Sequence, residues 1–302
     1  MHIIKNRNLY YLIPAALAVA SLVVIFMFGL KGGVDLTGGS LLEVSYADAR
    51  PSHESVQASV ERLNLGDIRV QPTGEKGYIA RLRDITDQEK QGLLQAMTVD
   101  GQTAKEEQFT TIGPTIGGEI RTKAWYAMAL VLIAIILYIA FAFRKVSLPV
   151  SSWKYGIIAI ITLVHDVILP VGLFAILGKT HGAEVDSLFI VGLLTILGIS
   201  INDTIVVFDR IRENLKIAHD KNKKEDFEVT VGNSITQTIA RSVNTSLTVI
   251  IVLVALYLLG PVTTQNFALT LIVGMVAGTY SSIFLASPLL VTWERWSKSR
   301  AQ

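Results

Sequence analysis

The chain has 302 residues, 51% of them hydrophobic and 17% charged, with a formal net charge of +2 and no cysteine. Its length alone would fit two soluble domains, but a mean hydropathy of +0.47 argues against an ordinary soluble protein and for a membrane one. The near-neutral charge supplies no large basic surface for nucleic acid, and the missing cysteines remove disulfides, thiolate nucleophiles and cysteine metal sites.

The first apolar run, Leu9 to Leu30, follows Lys5 and Arg7. Ala18-Val19-Ala20 within it resembles a signal-peptidase site, yet the run continues through Phe28-Gly29-Leu30, beyond a signal core of about 7–15 residues. It reads as a retained anchor, and residues 1–30 form the first segment. Next comes Gly32-Gly33-Val34-Asp35-Leu36-Thr37-Gly38-Gly39, which lacks the Lys-Ser/Thr ending of a phosphate-binding loop and reads as a flexible exit followed by a turn.

Residues 31–123 are long enough for a folded domain. Alternation and capping signals predict a strand (Ser40 to Tyr46), a helix (Ser52 to Leu63), a strand (Asp67 to Gln71), a turn at Pro72-Thr73-Gly74, a strand (Gly77 to Arg83), a helix (Asp87 to Met97) and a strand (Lys105 to Ile112). Thr86 with Glu89 makes a capping box for the second helix. The order β-α-β-β-α-β is that of a ferredoxin-like α+β domain. Its lone His53 has no acidic or hydroxyl cluster beside it in sequence, and Glu106-Glu107 reads as a charged sheet edge, so the domain is expected to handle an extended partner rather than to catalyse.

Residues 124–302 hold five more apolar runs, Ala124 to Phe143, Tyr155 to Leu177, Ser187 to Phe208, Ala240 to Leu259 and Phe267 to Val291. Each can cross a hydrocarbon layer of ~30 Å as a helix of about 20 residues. A helix is the economical reading, because backbone exposed to lipid must satisfy its own hydrogen bonds. Counting short loops and tails, Lys5, Arg7, Arg144, Lys145, Lys154, Arg210, Arg212, Lys216, the lysines of 221–226, Arg295, Lys298 and Arg300 fall on one side, against Lys179 alone in the short loops of the other. Both termini are therefore expected in the cytoplasm and 31–123 outside it. Trp125, Trp153, Trp293 and Trp296 sit at run ends, as interfacial anchors do. Gly274 and Gly278 make a GxxxG packing face.

Four ionisable residues fall inside the runs: His165, Asp166, Asp203 and Arg241. A charge at a helix centre costs about 2.5–3.5 kcal/mol or more to insert, so such groups face the bundle interior and take partners. The fifth helix, expected to start near Gly232, carries a polar stripe of Asn233, Gln237, Arg241, Asn244, Thr245 and Thr248. Ser200, Asn202 and Asp203 on the fourth run and Thr162 with Asp166 on the third can face it. Adjacent residues point about 100° apart on a helix, so His165 and Asp166 do not both line one narrow path; Asp166 with Thr162 is the better candidate for it, and His165 is left to a hydrogen bond with a neighbouring helix. Asp203 opposite Arg241 allows two readings. One is a static ion pair clamping two helices; the other is a proton relay, in which arginine stays charged while the carboxyl group gains and loses a proton and so shifts the helices. Nothing calls for a metal or cofactor.

SINDTIVVFDRIREN (200–214), QTIARSVNTS (237–246), GGVDLTGG (32–39) and HDV (165–167) closely resemble the SecF family of bacterial protein-export membrane proteins, relatives of the RND transporters. The likeness covers essentially the whole chain. It implies a six-helix RND-like half in the inner membrane that pairs with SecD and associates with the SecYEG channel. The pair would use the proton-motive force to help move unfolded polypeptides, with a proton path through the residues matching Asp203 and Arg241 and an acidic group from SecD. The competing readings are half of an RND-type small-molecule exporter and a non-transporting scaffold of the channel.

Overall fold

A computed structural model describes residues 2–142, 150–222 and 225–299. Phe143, Arg144, Lys145, Lys223, Lys224 and Arg300 lie outside the described residues. The chain divides into two compact units, one of residues 30–126 with 180–187, the other of 1–29, 127–179 and 188–302. Elements in chain order are α1 (His2–Lys5), α2 (Arg7–Phe28), α3 (Val34–Thr37), β1 (Gly39–Ser45), α4 (His53–Glu61), β2 (Arg69–Thr73), β3 (Gly77–Leu82), α5 (Asp87–Ala96), β4 (Lys105–Ile112), α6 (Pro114–Ala142), α7 (Ser152–Thr180), α8 (Ser187–Asp220), α9 (Phe227–Leu259), α10 (Val262–Ser281), a π-helical turn (Ser282–Ala286) and α11 (Ser287–Ser299).

In the α+β unit the sheet is antiparallel with order β2-β3-β1-β4. Alternation along β1 turns Leu42 and Val44 inward, where Val56 and Val60 of α4 and Leu93 of α5 join them in one core. Burying a side chain such as Leu93 is worth about 1.5–3 kcal/mol. α5 opens on the expected capping box: Glu89 N–H donates to Thr86 Oγ1, and Thr86 N–H to Glu89 Oε2 at 2.9 Å. The expected turn at Pro72-Thr73-Gly74 is corrected, since Pro72 and Thr73 belong to β2. That strand lies at the sheet edge, where a proline without an N–H does no harm. At the other edge Glu106 pairs with Lys90 at 3.0 Å, and Glu107 with Lys105. His53 is occupied structurally, its Nε2 lying 3.1 Å from Val70 O.

Among the described residues, six helices are long and apolar enough to cross a membrane. Two run past their apolar stretches: α8 continues beyond Phe208 to Asp220, and α9 starts at Phe227, before Gly232. Charged residues extend a helix readily once it has left the apolar layer, because backbone hydrogen bonding does not require lipid. α7, α8 and α10 supply the most buried spans, and α2 is almost bare. Tyr155 and Phe208 stack edge to face at 5.1 Å within a core that includes Ile158, Leu197 and Ile235. Trp153 packs edge-on against Trp293 at 5.3 Å.

Candidate functional site: two buried carboxyl groups

α8 presents Ile196, Ser200 and Asp203 along one face, and α10 lies close against it because Gly274 and Gly278 have no side chains. A Cβ on Gly274 would stand 2.2 Å from Ile196 Cδ1, and one on Gly278 2.9 Å from Ser200 Cβ. The GxxxG face thus meets a helix of this same chain.

This close approach brings hydroxyls onto Asp166 of α7, which is completely buried. Ser200 Oγ of α8 donates to Asp166 Oδ2 at 2.5 Å and Ser281 Oγ of α10 donates to the same oxygen at 2.8 Å. His165 Nδ1 stands 2.8 Å from Oδ1. Three helices are therefore tied through one carboxyl group, both of whose oxygens are partnered, an arrangement of the kind that fixes helix packing. Thr162 is buried with Asp166, and its hydroxyl bonds back to Ile158 O and Ala159 O of its own helix. One expectation is corrected here. His165 does not reach a neighbouring helix with Nδ1 but turns to Asp166, because 100° separates the Cβ directions and not the ends of two long side chains. Its Nε2 is buried without a hydrogen-bond partner among the described residues. The ring borders an apolar cavity of about 530 Å³ between α2, α7 and α10.

Asp203 is also buried, but its surroundings differ. Oδ2 accepts from Ser246 Oγ of α9 at 3.4 Å, and Thr279 Oγ1 of α10 lies 2.6 Å from that serine hydroxyl. Neutral hydroxyls donate to a carboxylate and accept from a carboxylic acid, so these partners suit either protonation state.

No ion pair joins Asp203 to Arg241 among the described residues, contrary to the expected pairing across the helix interface. Helical geometry explains this. Arg241 and Ser246 are five residues apart and point about 140° away from each other, so turning Ser246 inward turns Arg241 outward. Arg241 is exposed and lines an open polar cleft of about 260 Å³ with Asp209, Arg210, Glu213, Gln237 and Thr238. There Gln237 Oε1 accepts from Arg210 Nε at 2.6 Å and Asn214 Nδ2 at 3.0 Å. Asn202, Asn233, Asn244, Thr245 and Thr248 are exposed as well. The residues missed in sequence include Thr279 and Ser281 of α10 and Ser234, Thr238, Ser242 and Ser246, a buried hydroxyl stripe on α9 at strict four-residue spacing. That spacing was the available signal, masked by the bulkier polar residues beside it.

Six apolar spans among the described residues, with Asp166 and Asp203 buried between them, define a multi-pass membrane protein with a polar, carboxylate-bearing core. Residues 93–296 match the family described as protein export membrane protein SecD/SecF, C-terminal. The chain is 42% identical to protein translocase subunit SecF of Thermobaculum terrenum over 305 aligned positions, covering 97% of this chain and 93% of that one. It is 34% identical to protein translocase subunit SecDF of Bacillus subtilis, covering 96% of this chain and 38% of that longer protein. The crystal structure of SecDF from Thermus thermophilus, a translocon-associated membrane protein, matches 98% of this chain at 31% identity with a TM-score of 0.84, this chain spanning 39% of it. SecDF in its super-membrane-facing form gives a TM-score of 0.67 at the same identity. The chain belongs to the SecD/SecF family of protein export membrane proteins.

Proposed function

We propose that the chain is the SecF-type half of a Sec export accessory complex. In this reading it lies in the bacterial inner membrane with both termini cytoplasmic, and its α+β unit is a ferredoxin-like domain outside the cytoplasm. The strand order β2-β3-β1-β4 around two helices supports the domain type. With SecD it uses the proton-motive force to promote passage of unfolded polypeptides through the SecYEG channel. Asp203 is the group that exchanges the proton, and Arg241, on the outward face of α9, is the fixed positive charge presented to the partner half. Gln237, Asn244, Thr245 and Asn202 line the approach, while Asp166, His165 and Thr162 support it from the third span.

The observation that carries this reading is the outward polar face of α9. Arg241, Asn244, Thr245 and Thr248 are exposed on a helix otherwise apolar enough to span a bilayer. Polar groups facing hydrocarbon are costly, so a second polar helix or a water-filled path must cover them. A self-sufficient scaffold would have buried them within its own bundle.

Replacing Asp203 by Asn in cells, with co-purification of SecD measured alongside, tests the proposal. Export lost with assembly intact supports it. Export and assembly lost together favour the clamp, and normal export with normal assembly refutes the relay.

A further inference from the structure

The glycine-rich segment 32–39 is not a flexible exit. Gly33 N–H donates to Val185 O at 2.9 Å, and Val185 N–H donates to Lys31 O at 2.7 Å, a short parallel bridge to the residues that precede α8. α3 then sets Asp35 at the start of α8, where its carboxylate accepts from Ser187 N–H at 3.2 Å and from the Ser187 hydroxyl. An acidic group there satisfies an orphan helix N–H and complements the helix dipole. Gly38, at φ +80°, is pressed by the first turn of α6, since an added Cβ would stand 2.6 Å from Pro114 Cα. A Cβ on Gly117 would likewise stand 2.5 Å from Gly38 N.

A second fastening lies beside the first. Arg81 Nε of β3 is 3.0 Å from Glu184 Oε2, off the N–H direction and so an ion pair rather than an aligned hydrogen bond, with both side chains largely buried. Arg81 Nη1 donates to Gln71 Oε1 at 2.5 Å, which fixes the guanidinium in place. Residues 180–187 are thus held into the α+β unit by backbone, cap and ion pair together.

α8 begins at Ser187 and carries Asp203 further along the same helix. Helices are stiff along their axes, so whatever holds the first turn of α8 receives any shift that occurs at Asp203. We propose that Asp35 and Glu184 are positioning residues of the export cycle, keeping the start of α8 fastened to the α+β unit so that movement of α8 is passed to it. This rests on the proton-exchange reading of Asp203. The junction stays closed throughout the cycle and acts as a strut.

The test uses the full chain with its partner subunit in cells. A Cβ on Gly33 would stand 3.5 Å from Asp186 Cβ, at the short end of the disulfide range of about 3.5–4.5 Å, in a chain with no other cysteine. Asp35→Ala is expected to cut export severalfold at unchanged membrane level, and Asp35→Asn to keep most of it, because the amide oxygen still accepts from Ser187. Adding Gly33→Cys with Asp186→Cys to Asp35→Ala is expected to restore export when oxidised and lose it again on reduction. Normal export by Asp35→Ala overturns the proposal, and so does loss of export when the disulfide forms in the otherwise unchanged chain, since a strut must not need to open. If Asp203→Asn exports normally, the proton-exchange reading fails. If Asp203→Asn is inactive while Asp35→Ala is active, the strut alone fails.

Discussion

Ser200 of α8 donates a hydrogen bond of 2.5 Å to Asp166 of α7, one helical turn before Asp203. The two carboxyl groups therefore meet neighbouring turns of α8, Asp166 with three partners including an imidazole and Asp203 with hydroxyls alone. Asp166 is held by partners from its own helix and two others, whereas Asp203 meets only hydroxyls that accommodate either protonation state. A fixed carboxyl group beside an adaptable one is a reasonable way to keep three helices in register while the second group changes state.

Removing the fixed group should be costly. Asp166→Ala leaves the Ser200 and Ser281 hydroxyls and the His165 ring without their shared partner, a loss of about 2–4 kcal/mol. Asp166→Asn keeps an acceptor oxygen and should cost clearly less. Thermal unfolding of the detergent-solubilised chain distinguishes them, and equal losses would contradict the network.

The α8–α10 contact should be intolerant of added volume. Gly274→Ala puts a methyl group into Ile196, which is itself buried, and overpacking of this kind costs about 1–3 kcal/mol. Ile196→Ala combined with Gly274→Ala should recover part of that loss in a double-mutant cycle on the same unfolding measurement.

Arg241→Ala should barely change the stability of the chain without its partner, within about 0.5 kcal/mol, because Arg241 is exposed and has no buried counter-ion among the described residues. Breaking a buried clamp would instead cost about 3–5 kcal/mol. Export with the partner present should nevertheless be lost.

Glu89 sets a pH dependence in the α+β unit. The Arg83 hydrogen bond and the Thr86 backbone N–H hold its carboxyl down to about 2, below the ordinary glutamate value. A depressed acid stabilises the fold above its unfolded pKa, and that contribution is lost as pH falls toward 2. Carboxyl NMR of the full chain in detergent should find Glu89 titrating below the ordinary glutamate range, and Arg83→Ala, which removes its leading partner, should move it upward.

Much of the fold was legible because its signals are local. Twenty apolar residues in lipid have one economical conformation, and alternation through Leu42 and Val44 or the Thr86–Glu89 pair announces a strand and a cap without tertiary information. The site was legible in its residues and not in its geometry. Asp203, Arg241 and Asp166 stand out as charges in apolar runs, but which face of α9 turns inward depends on α8 and α10 packing against it. Small Ser242 and Ser246 fit that interface, and Arg241 does not. The Gly32–Gly39 segment misled for a related reason. Glycine signals freedom when isolated and close approach when packed, and the chains that press on Gly38 and cap onto Asp35 come from residues 114 and 187.

The central claim, that Asp203 exchanges the proton that drives export, is tested most directly in proteoliposomes holding this chain, SecD and SecYEG, with polypeptide release followed with and without an imposed proton gradient. The account predicts that the gradient accelerates release in the unchanged chain and has no effect with Asp203→Asn. An equal acceleration in both would contradict it.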